Sequence, residues 1–124
     1  MEEALRYDSP VTQANRIIPA DTAFRGCPMH RGESISVSLA GANRDPRANP
    51  KPDTFNIHRR DIRHQSFGGG KHLCLGAWLA RVEAQEAILG LLRRFPKLSL
   101  QEQTFEYRLV PSFRGLKQLW VSRG

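Results

Sequence analysis

The feature that most constrains the fold of this sequence is one long helical segment with apolar residues over much of its surface. The segment runs from about Ala77 to Phe95 and stops before Pro96, since proline disfavours helical geometry at the preceding residue. Two adjacent apolar stripes run along it at helical spacing: Leu75, Leu79, Val82, Leu89 and Leu92 in one, and Ala84, Ile88, Leu91 and Phe95 in the other. Because two stripes need packing partners on two sides, we expect a helix that is buried over much of its circumference.

The rest of the chain predicts short elements separated by irregular segments. Residues 1–7 predict a short helix that ends near Ser9, before Pro10. Strands are expected between Val11 and about Leu39, because residues 34–39 alternate strictly between polar and apolar. Residues 43–46, with the sequence Asn-Arg-Asp-Pro, are typical of a turn.

Two later segments complete this outline. Residues 46–66 contain three prolines and have little periodicity, and an irregular run of this length in a compact domain is usually functional or misinterpreted. The apolar pieces 105–109 and 119–121, on either side of Pro111 and Gly115, predict a C-terminal hairpin.

Composition limits the class of protein. With 40% hydrophobic and 25% charged residues, the 124-residue chain is expected to be globular and to form one domain or part of one. No apolar run is long enough to span a bilayer, the acidic N-terminus does not resemble a secretory signal, and two cysteines do not make a disulfide framework. We therefore expect a cytoplasmic protein with no membrane partner. The net charge of +7 admits nucleic acid, an anionic cofactor or an acidic protein as a partner, and an ordinary basic surface is the simpler interpretation.

A glycine-rich loop, Phe67 to Gly76, directly precedes the long helix. It is not a phosphate-binding loop of the G-x-x-x-x-G-K-[ST] type, because Gln65 and His72 replace the required glycine and hydroxyl. It is not a G-x-G-x-x-G loop either, because Leu73 replaces the third glycine.

Cys74 is the residue of this loop with the most chemical potential. A cysteine just before a helix is favoured as a thiolate, which can be a nucleophile, a metal ligand or an axial haem ligand. A nucleophile would have His72 nearby but no obvious carboxylate or amide to orient that base. Zinc or copper ligation has little support, because the six Cys and His candidates lack paired spacing: Cys27, His30, His58, His64, His72 and Cys74. An inert buried cysteine is the remaining alternative.

Taken as a whole, the loop Phe67-x-x-Gly70-x-x-x-Cys74-x-Gly76 resembles the haem-binding loop of the cytochrome P-450 family. Four other motifs of that family occur in the same order: Glu3-Ala4-Leu5-Arg6 for E-x-x-R, Asn43-Arg44-Asp45-Pro46, Phe55-Asn56-Ile57-His58-Arg59, and Pro111-Ser112-Phe113-Arg114-Gly115-Leu116. The resemblance covers essentially all 124 residues. It implies a mainly α fold with small β-sheets (α+β), in which residues 1–124 form a single incomplete domain, the C-terminal haem-ligating portion.

The resemblance also implies a role for individual residues toward haem b. Cys74 would be the axial thiolate on the iron. Phe67 would shield that thiolate, and the loop glycines would let the backbone lie close to the porphyrin and the sulfur: Gly68, Gly70 and Gly76. Arg16 and His72 correspond to residues that contact the haem propionates.

Three further groups follow from the same resemblance. Glu3, Arg6 and Arg59 would form a buried network that supports the haem loop. Val11 and the tip around Val110 and Phe113 would line the substrate pocket. A ferredoxin-like or flavin redox partner would dock on a basic patch, with a merely solvated face as the alternative interpretation of the same residues: Arg59, Arg60, Arg63, Lys71, Arg81, Arg93 and Arg94.

The function implied is that of a bacterial, soluble haem-thiolate monooxygenase. Such an enzyme inserts one oxygen atom of O2 into a small organic substrate, with electrons that come from NAD(P)H through the redox partner. No residues match the family's distal helix with its acid–Thr pair, so we expect a truncated or split product with little activity, dependent on the missing N-terminal portion. A non-catalytic haem- or partner-binding remnant is the alternative. A basic nucleic-acid-binding module is a remote one, because the sequence has no helix-turn-helix, zinc-finger or RNA-binding motif.

Overall fold

The protein combines three α-helices with three small antiparallel sheets. The computed structural model describes all 124 residues. The helices are α1 (Glu2–Tyr7), α2 (Leu39–Asn43) and α3 (Ala77–Arg94), and a 3-10 turn covers Gly70–His72. The strands are β1 (Gln13–Ile17), β2 (Thr22–Phe24), β3 (Cys27–Met29), β4 (Ser34–Ser38), β5 (Ser99–Leu100) and β6 (Val121–Ser122).

Each of the three sheets contains two strands. β1 and β4 pair along their whole length, from Gln13 opposite Ser38 to Ile17 opposite Ser34, and the β2–β3 hairpin lies between them in the sequence. β5 pairs with β6 and closes the C-terminal segment. This arrangement confirms the predicted α+β class.

The predicted first helix, the alternating strand and the long helix are confirmed within a residue or two of their expected bounds. Two details differ. The chain forms α2 where the sequence predicted the end of a strand and a turn, because the Ser38 hydroxyl caps that helix by accepting the Gly41 N–H at 3.0 Å. The predicted C-terminal hairpin is present, with Tyr107 bridging Leu116, but Val121 and Ser122 form β6 opposite Ser99 and Leu100 rather than opposite residues 105–109.

Helix α3 is exposed rather than buried, which corrects the expectation from its two stripes. Ala77 is its one buried residue, whereas Leu79, Val82, Ile88 and Leu92 are each about half exposed or more. The physical reason is that no other element of the 124 residues packs against the stripes. Neither α3 nor any other helix of the structure combines the length and the apolar character that crossing a membrane requires.

The buried core of the chain is mainly polar. Nine residues are buried, and three of them are apolar: Ile18, Leu39 and Ala77. The other six are Glu3, Arg6, Ser9, Asn43, Asn49 and Ser66. Every buried side-chain nitrogen and oxygen has a hydrogen-bond partner. The chain is therefore held together largely by directional polar contacts, which are costly to break when they are buried.

The centre of this core is the ion pair of Glu3 and Arg6 on α1. The Arg6 Nε and one terminal nitrogen donate to the two Glu3 oxygens at 2.7 and 2.9 Å. The remaining Arg6 N–H groups donate to the backbone carbonyls of Asn43, Pro52 and Thr54. Arg59 joins from the irregular segment, since its Nε lies 3.2 Å from Glu3. The predicted association of Glu3, Arg6 and Arg59 is thus present in the structure.

A second set of contacts fixes the irregular segment 46–66 and leads toward Cys74. The Asn49 side chain pairs with the backbone of Arg63, donating to its carbonyl at 2.7 Å and accepting its N–H at 3.1 Å. Asn43 donates to the Ser66 hydroxyl at 2.9 Å and accepts the Gln65 N–H at 2.6 Å. Side chains therefore satisfy backbone groups that no helix or strand pairs here.

We expect Arg6→Lys to destabilise the chain by about 3 kcal/mol or more, because one ammonium cannot replace five fixed N–H donors and leaves buried oxygens unpaired. The midpoint of urea unfolding measures the loss. Arg47→Lys is the matched control: its side chain is 83% exposed in the pair with Asp45, so the midpoint should barely move. Equal effects of the two variants would contradict the central role of Arg6.

We expect the stability contributed by Glu3 to be lost in acid. Hydrogen bonding from Arg6, more than any other contact, lowers the pKa of the Glu3 carboxyl from 4.5 to about 2. A carboxyl with a lowered folded-state pKa stabilises the fold above its unfolded-state pKa and loses that contribution as the pH falls from 4.5 toward 2. The urea midpoints of the wild type and Glu3→Gln should therefore differ most at pH 7 and converge near pH 2. Glu86→Gln, on the exposed side of α3, should track the wild type, and a constant Glu3→Gln gap down to pH 2 would refute this assignment.

Candidate functional site

The loop that carries Cys74 is a compact series of turns. Its backbone closes on itself, because the Cys74 N–H donates to the Phe67 carbonyl at 2.8 Å and the Gly68 N–H donates to the Gln65 carbonyl at 2.8 Å. Gly68 and Gly70 have φ angles of +71° and +57°, a left-handed region that favours glycine. At Gly68 a Cβ atom would also lie 2.9 Å from the His72 carbonyl oxygen. The turns therefore fix where the cysteine emerges.

A cleft of about 300 Å³ opens beside this loop. It brings together five residues predicted for the site: Val11, Arg16, Phe67, Gly68 and His72 line it together with Cys74. Its other lining residues are largely apolar and come from α1, β1, α2 and the loops at residues 10 and 66: Leu5, Pro10, Ala14, Leu39 and Ser66. The cleft thus combines an exposed, free thiol with an apolar lining.

Arg16 and His72, the two candidates for the haem propionates, lie at the cleft without acidic partners. Arg16 lies on β1 opposite Ile35, and its guanidinium donates to the carbonyl of Asn15 at 2.7 Å. Neither Arg16 nor His72 takes part in any of the chain's ion pairs. The side chains can therefore receive an anionic group. A second cleft of about 270 Å³ also touches both residues, which places them on a shared rim.

The three substrate-pocket candidates are joined by backbone contacts. Phe113 pairs with Val11 and with Val110 as isolated antiparallel bridges, and the Thr12 N–H donates to the Ser112 carbonyl at 3.0 Å. The C-terminal turn thereby lies against the start of β1. Val110 and Phe113 do not line the cleft beside Cys74, whereas Val11 does. The structure therefore places the turn next to the cleft wall.

Two of the candidate glycines lie outside the cleft lining. Gly70 begins the 3-10 turn, and Gly76 precedes α3. A Cβ atom at Gly76 would lie 4.0 Å from the Cys74 Sγ, which is an ordinary contact distance. Within this chain, nothing requires glycine at position 76 on steric grounds.

The basic patch proposed for a redox partner is smaller than the sequence suggested. Arg59 is almost fully buried on Glu3, and Arg81 is paired with Glu2. Arg63 is exposed but pairs with Asp61 at 3.1 Å. Four cations of the predicted set remain outside ion pairs: Arg60, Lys71, Arg93 and Arg94.

Sequence reasoning missed a cluster under Phe67. The Glu2 carboxylate accepts a hydrogen bond from the Arg81 Nε at 3.0 Å, and the His64 Nε2 lies 3.0 Å from the same carboxylate. Hydrogen bonding from Arg81 lowers the pKa of the Glu2 carboxyl. The Arg81 Cζ lies 4.6 Å from the centroid of the Phe67 ring. A signal for Arg81 was its position in the first turns of α3, where no other basic residue occurs. Its partner, 79 residues away in sequence, had no such signal.

The alternative metal sites find no support in the placement of their candidates. No three His, Cys, Asp or Glu side chains come together as a metal-binding group anywhere in the 124 residues. Cys27 lies on the β2–β3 hairpin and is exposed, as is Cys74. The structure also contradicts the alternative of a buried, inert Cys74.

Comparison with known proteins gives a consistent result. The family model described as Cytochrome P450 matches residues 1–113. The biotin biosynthesis cytochrome P450 of Bacillus subtilis (strain 168) is 43% identical over 122 residues, and the polyketide biosynthesis cytochrome P450 PksS of the same organism is 43% identical over 125 residues. Each match covers 98% of this chain and 31% of the relative.

The solved structures agree with the sequence relatives. The crystal structure of P450BioI in complex with hexadec-9Z-enoic acid ligated acyl carrier protein superposes with a TM-score of 0.91 at 44% identity, over 98% of this chain and 31% of that one. The PksS structure gives a TM-score of 0.92 at 42% identity, over 98% of this chain and 32% of that one. The chain thus spans about a third of the length of the proteins it matches. By its motifs, its fold and these matches, this chain belongs to the cytochrome P450 family.

Proposed function

We propose that this chain is the haem-ligating portion of a haem-thiolate monooxygenase, which inserts one oxygen atom of O2 into a small organic substrate. The observation that carries the proposal is the cleft that joins the Cys74 thiol, an apolar lining and the unpaired Arg16 and His72. Family membership implies haem, and the donor set fits that group. A thiol can ligate iron, apolar walls suit a porphyrin face, and the N–H donors of an arginine and a histidine suit its two carboxylates.

Each residue of the cleft has a distinct role in this proposal. Cys74 would ligate the iron, and haem held by a cysteine thiolate supplies O2 activation because the sulfur donates electron density. Arg16 and His72 would bind the propionates and so fix the orientation of the group. Phe67 would exclude water from the sulfur, Gly68 and Gly70 would hold the loop in the turns that present the sulfur, and Gly76 would form the N-cap of α3.

The substrate would enter beside the turn that carries Val110 and Phe113, next to Val11. The substrate itself stays a class, a small organic molecule. Electrons would come from NAD(P)H through a ferredoxin-like or flavin partner in the cytoplasm. Arg60, Lys71, Arg93 and Arg94 are the cations left to attract an acidic partner.

The 124 residues alone are proposed to have little or no monooxygenase activity. The exposed stripes of α3 and the open cleft support this, because oxygen chemistry needs a site closed to water. A non-catalytic haem- or partner-binding protein is the second candidate, favoured by the same exposure. Peroxide-driven oxidation of a generic substrate by the haem-loaded chain, at a rate above that of free haemin, would favour the first candidate, since the second candidate predicts none.

We expect the purified chain with added haemin to give a red-shifted, thiolate-type Soret band in its reduced, CO-bound difference spectrum. Cys74→Ser should abolish this band because it removes the sulfur ligand. Cys27→Ser is the matched control, since Cys27 is also free and exposed but lies away from the cleft, and it should keep the band. A spectrum typical of imidazole-ligated or free haem in the wild-type chain would refute ligation by Cys74.

We expect Gly68→Ala to destabilise the chain by about 1–3 kcal/mol, because alanine is strained at a positive φ and its Cβ would meet the His72 carbonyl. Urea unfolding followed by circular dichroism measures the effect. Gly90→Ala is the control with the same added methyl group. It lies inside α3 with open space around it and should stabilise the chain by about 0.5–1 kcal/mol. A neutral Gly68→Ala would show that the loop adopts another conformation.

A further inference from the structure

The Phe67 ring is held by two side chains that the proposed ligation does not use. The Arg81 Cζ lies 4.6 Å from the ring centroid, within the range of a cation–π contact. The His64 ring lies with its centroid 6.0 Å from that of Phe67 at an interplanar angle of 53°. At the other end of the residue, the Phe67 carbonyl accepts the Cys74 N–H at 2.8 Å. Phe67 therefore connects the Arg81 contact to Cys74.

Glu2 fixes the position of both neighbours. Its oxygens accept the Arg81 Nε at 3.0 and 3.2 Å and a terminal Arg81 nitrogen at 3.0 Å, a bidentate pair. The His64 Nε2 lies 3.0 Å from the same carboxylate. The Ser66 N–H donates to the His64 Nδ1 at 3.3 Å, so the ring proton is on Nε2 and donates to Glu2.

Arg81 is also the side chain that ties α3 to the rest of the fold. Its hydrogen bonds to Glu2 are the only ones between a side chain of Ala77–Arg94 and another element, while a further Arg81 N–H donates to the Ala77 carbonyl at 3.3 Å. A planar guanidinium that is bound along its edge presents its face to a neighbouring ring, which an ammonium cannot do.

We propose that Arg81 is a positioning residue for Cys74: clamped by Glu2, its guanidinium holds the Phe67 ring at the cleft, and Phe67 in turn holds the cysteine. The importance of this role for catalysis rests on the proposed function. The contacts themselves involve only residues of this chain, so they can be tested without haem.

The test is a double-mutant cycle read out on Cys74. The alkylation rate of Cys74 by iodoacetamide is measured by peptide mass spectrometry in the haem-free chain, with Cys27 as the internal reference. Arg81→Lys keeps the charge and loses the stacked plane, so the Cys74 rate should rise about two- to fivefold while the Cys27 rate is unchanged. With Phe67→Leu the same Arg81→Lys change should have no effect, and with Phe67→Tyr the effect should return.

Arg114→Lys is the matched control. Arg114 also stacks on an aromatic ring, with its Cζ 4.1 Å from the Tyr107 centroid, and also pairs with a carboxylate, that of Asp8. It does not line the cleft beside Cys74, so this variant should leave the Cys74 rate unchanged. An Arg81→Lys effect of the same size with and without the Phe67 ring, or no effect at all, would overturn the proposal.

Two additions make the outcome decisive. If Arg81→Lys loses the circular dichroism of the wild type, Glu2→Gln replaces it in the cycle, because that change releases the clamp and keeps the guanidinium. In the haemin-loaded chain, the reduction potential should shift with Arg81→Lys in the presence of Phe67 or Tyr at position 67, and not with Leu. A wild-type chain without a thiolate-type spectrum would refute the proposed function, while the haem-free cycle still decides the role of Arg81.

Discussion

Arg6 uses all five of its N–H donors inside the protein, two on Glu3 and three on backbone carbonyls of Asn43, Pro52 and Thr54. Those carbonyls belong to the end of α2 and to the irregular segment that follows, which has no ladder of its own to pair them. The fold therefore depends on the Arg6 charge, which is buried but fully compensated by its hydrogen-bond partners. Burying such a charge without partners is costly. In a chain with three buried apolar residues, this network takes the structural place that an apolar core has in most domains.

The network reaches the cysteine loop through a short series of contacts. Arg6 and Arg59 hold residues 50–54, Asn49 holds Arg63, and Asn43 and Ser9 meet at the Ser66 hydroxyl, directly before Phe67. The loop then closes from Phe67 to Cys74 by a backbone hydrogen bond. The position of Cys74 therefore depends on contacts that begin at α1, although Glu3 and Arg6 lie far from Cys74 in the sequence.

The exposed stripes of α3 and the polar core of the chain have a common cause. The apolar residues of α3 have no packing partners among these 124 residues, and large apolar side chains elsewhere, such as Phe24 and Leu109, are exposed too, so burial within the chain falls to polar groups. Relatives that share this fold are about three times as long, since each match covers 98% of this chain and 31% of the relative. Among the side chains of α3, only Arg81 makes polar contact with another element, through Glu2, and this same residue reaches Phe67.

The sequence by itself determined the elements whose causes are local. The turns at Gly68 and Gly70, the end of α3 before Pro96 and the alternation of β4 follow from glycine, proline and periodicity, and the ordered motifs identified the family. Tertiary structure alone decided the rest. Asn43, Asn49, Ser66 and the Glu2–Arg81 pair act across 14 to 79 residues of sequence, so no local pattern could reveal them. The burial of α3 was predicted wrongly for the same reason. An apolar stripe in the sequence indicates a surface that favours packing, but whether another element packs against it is decided by the tertiary structure.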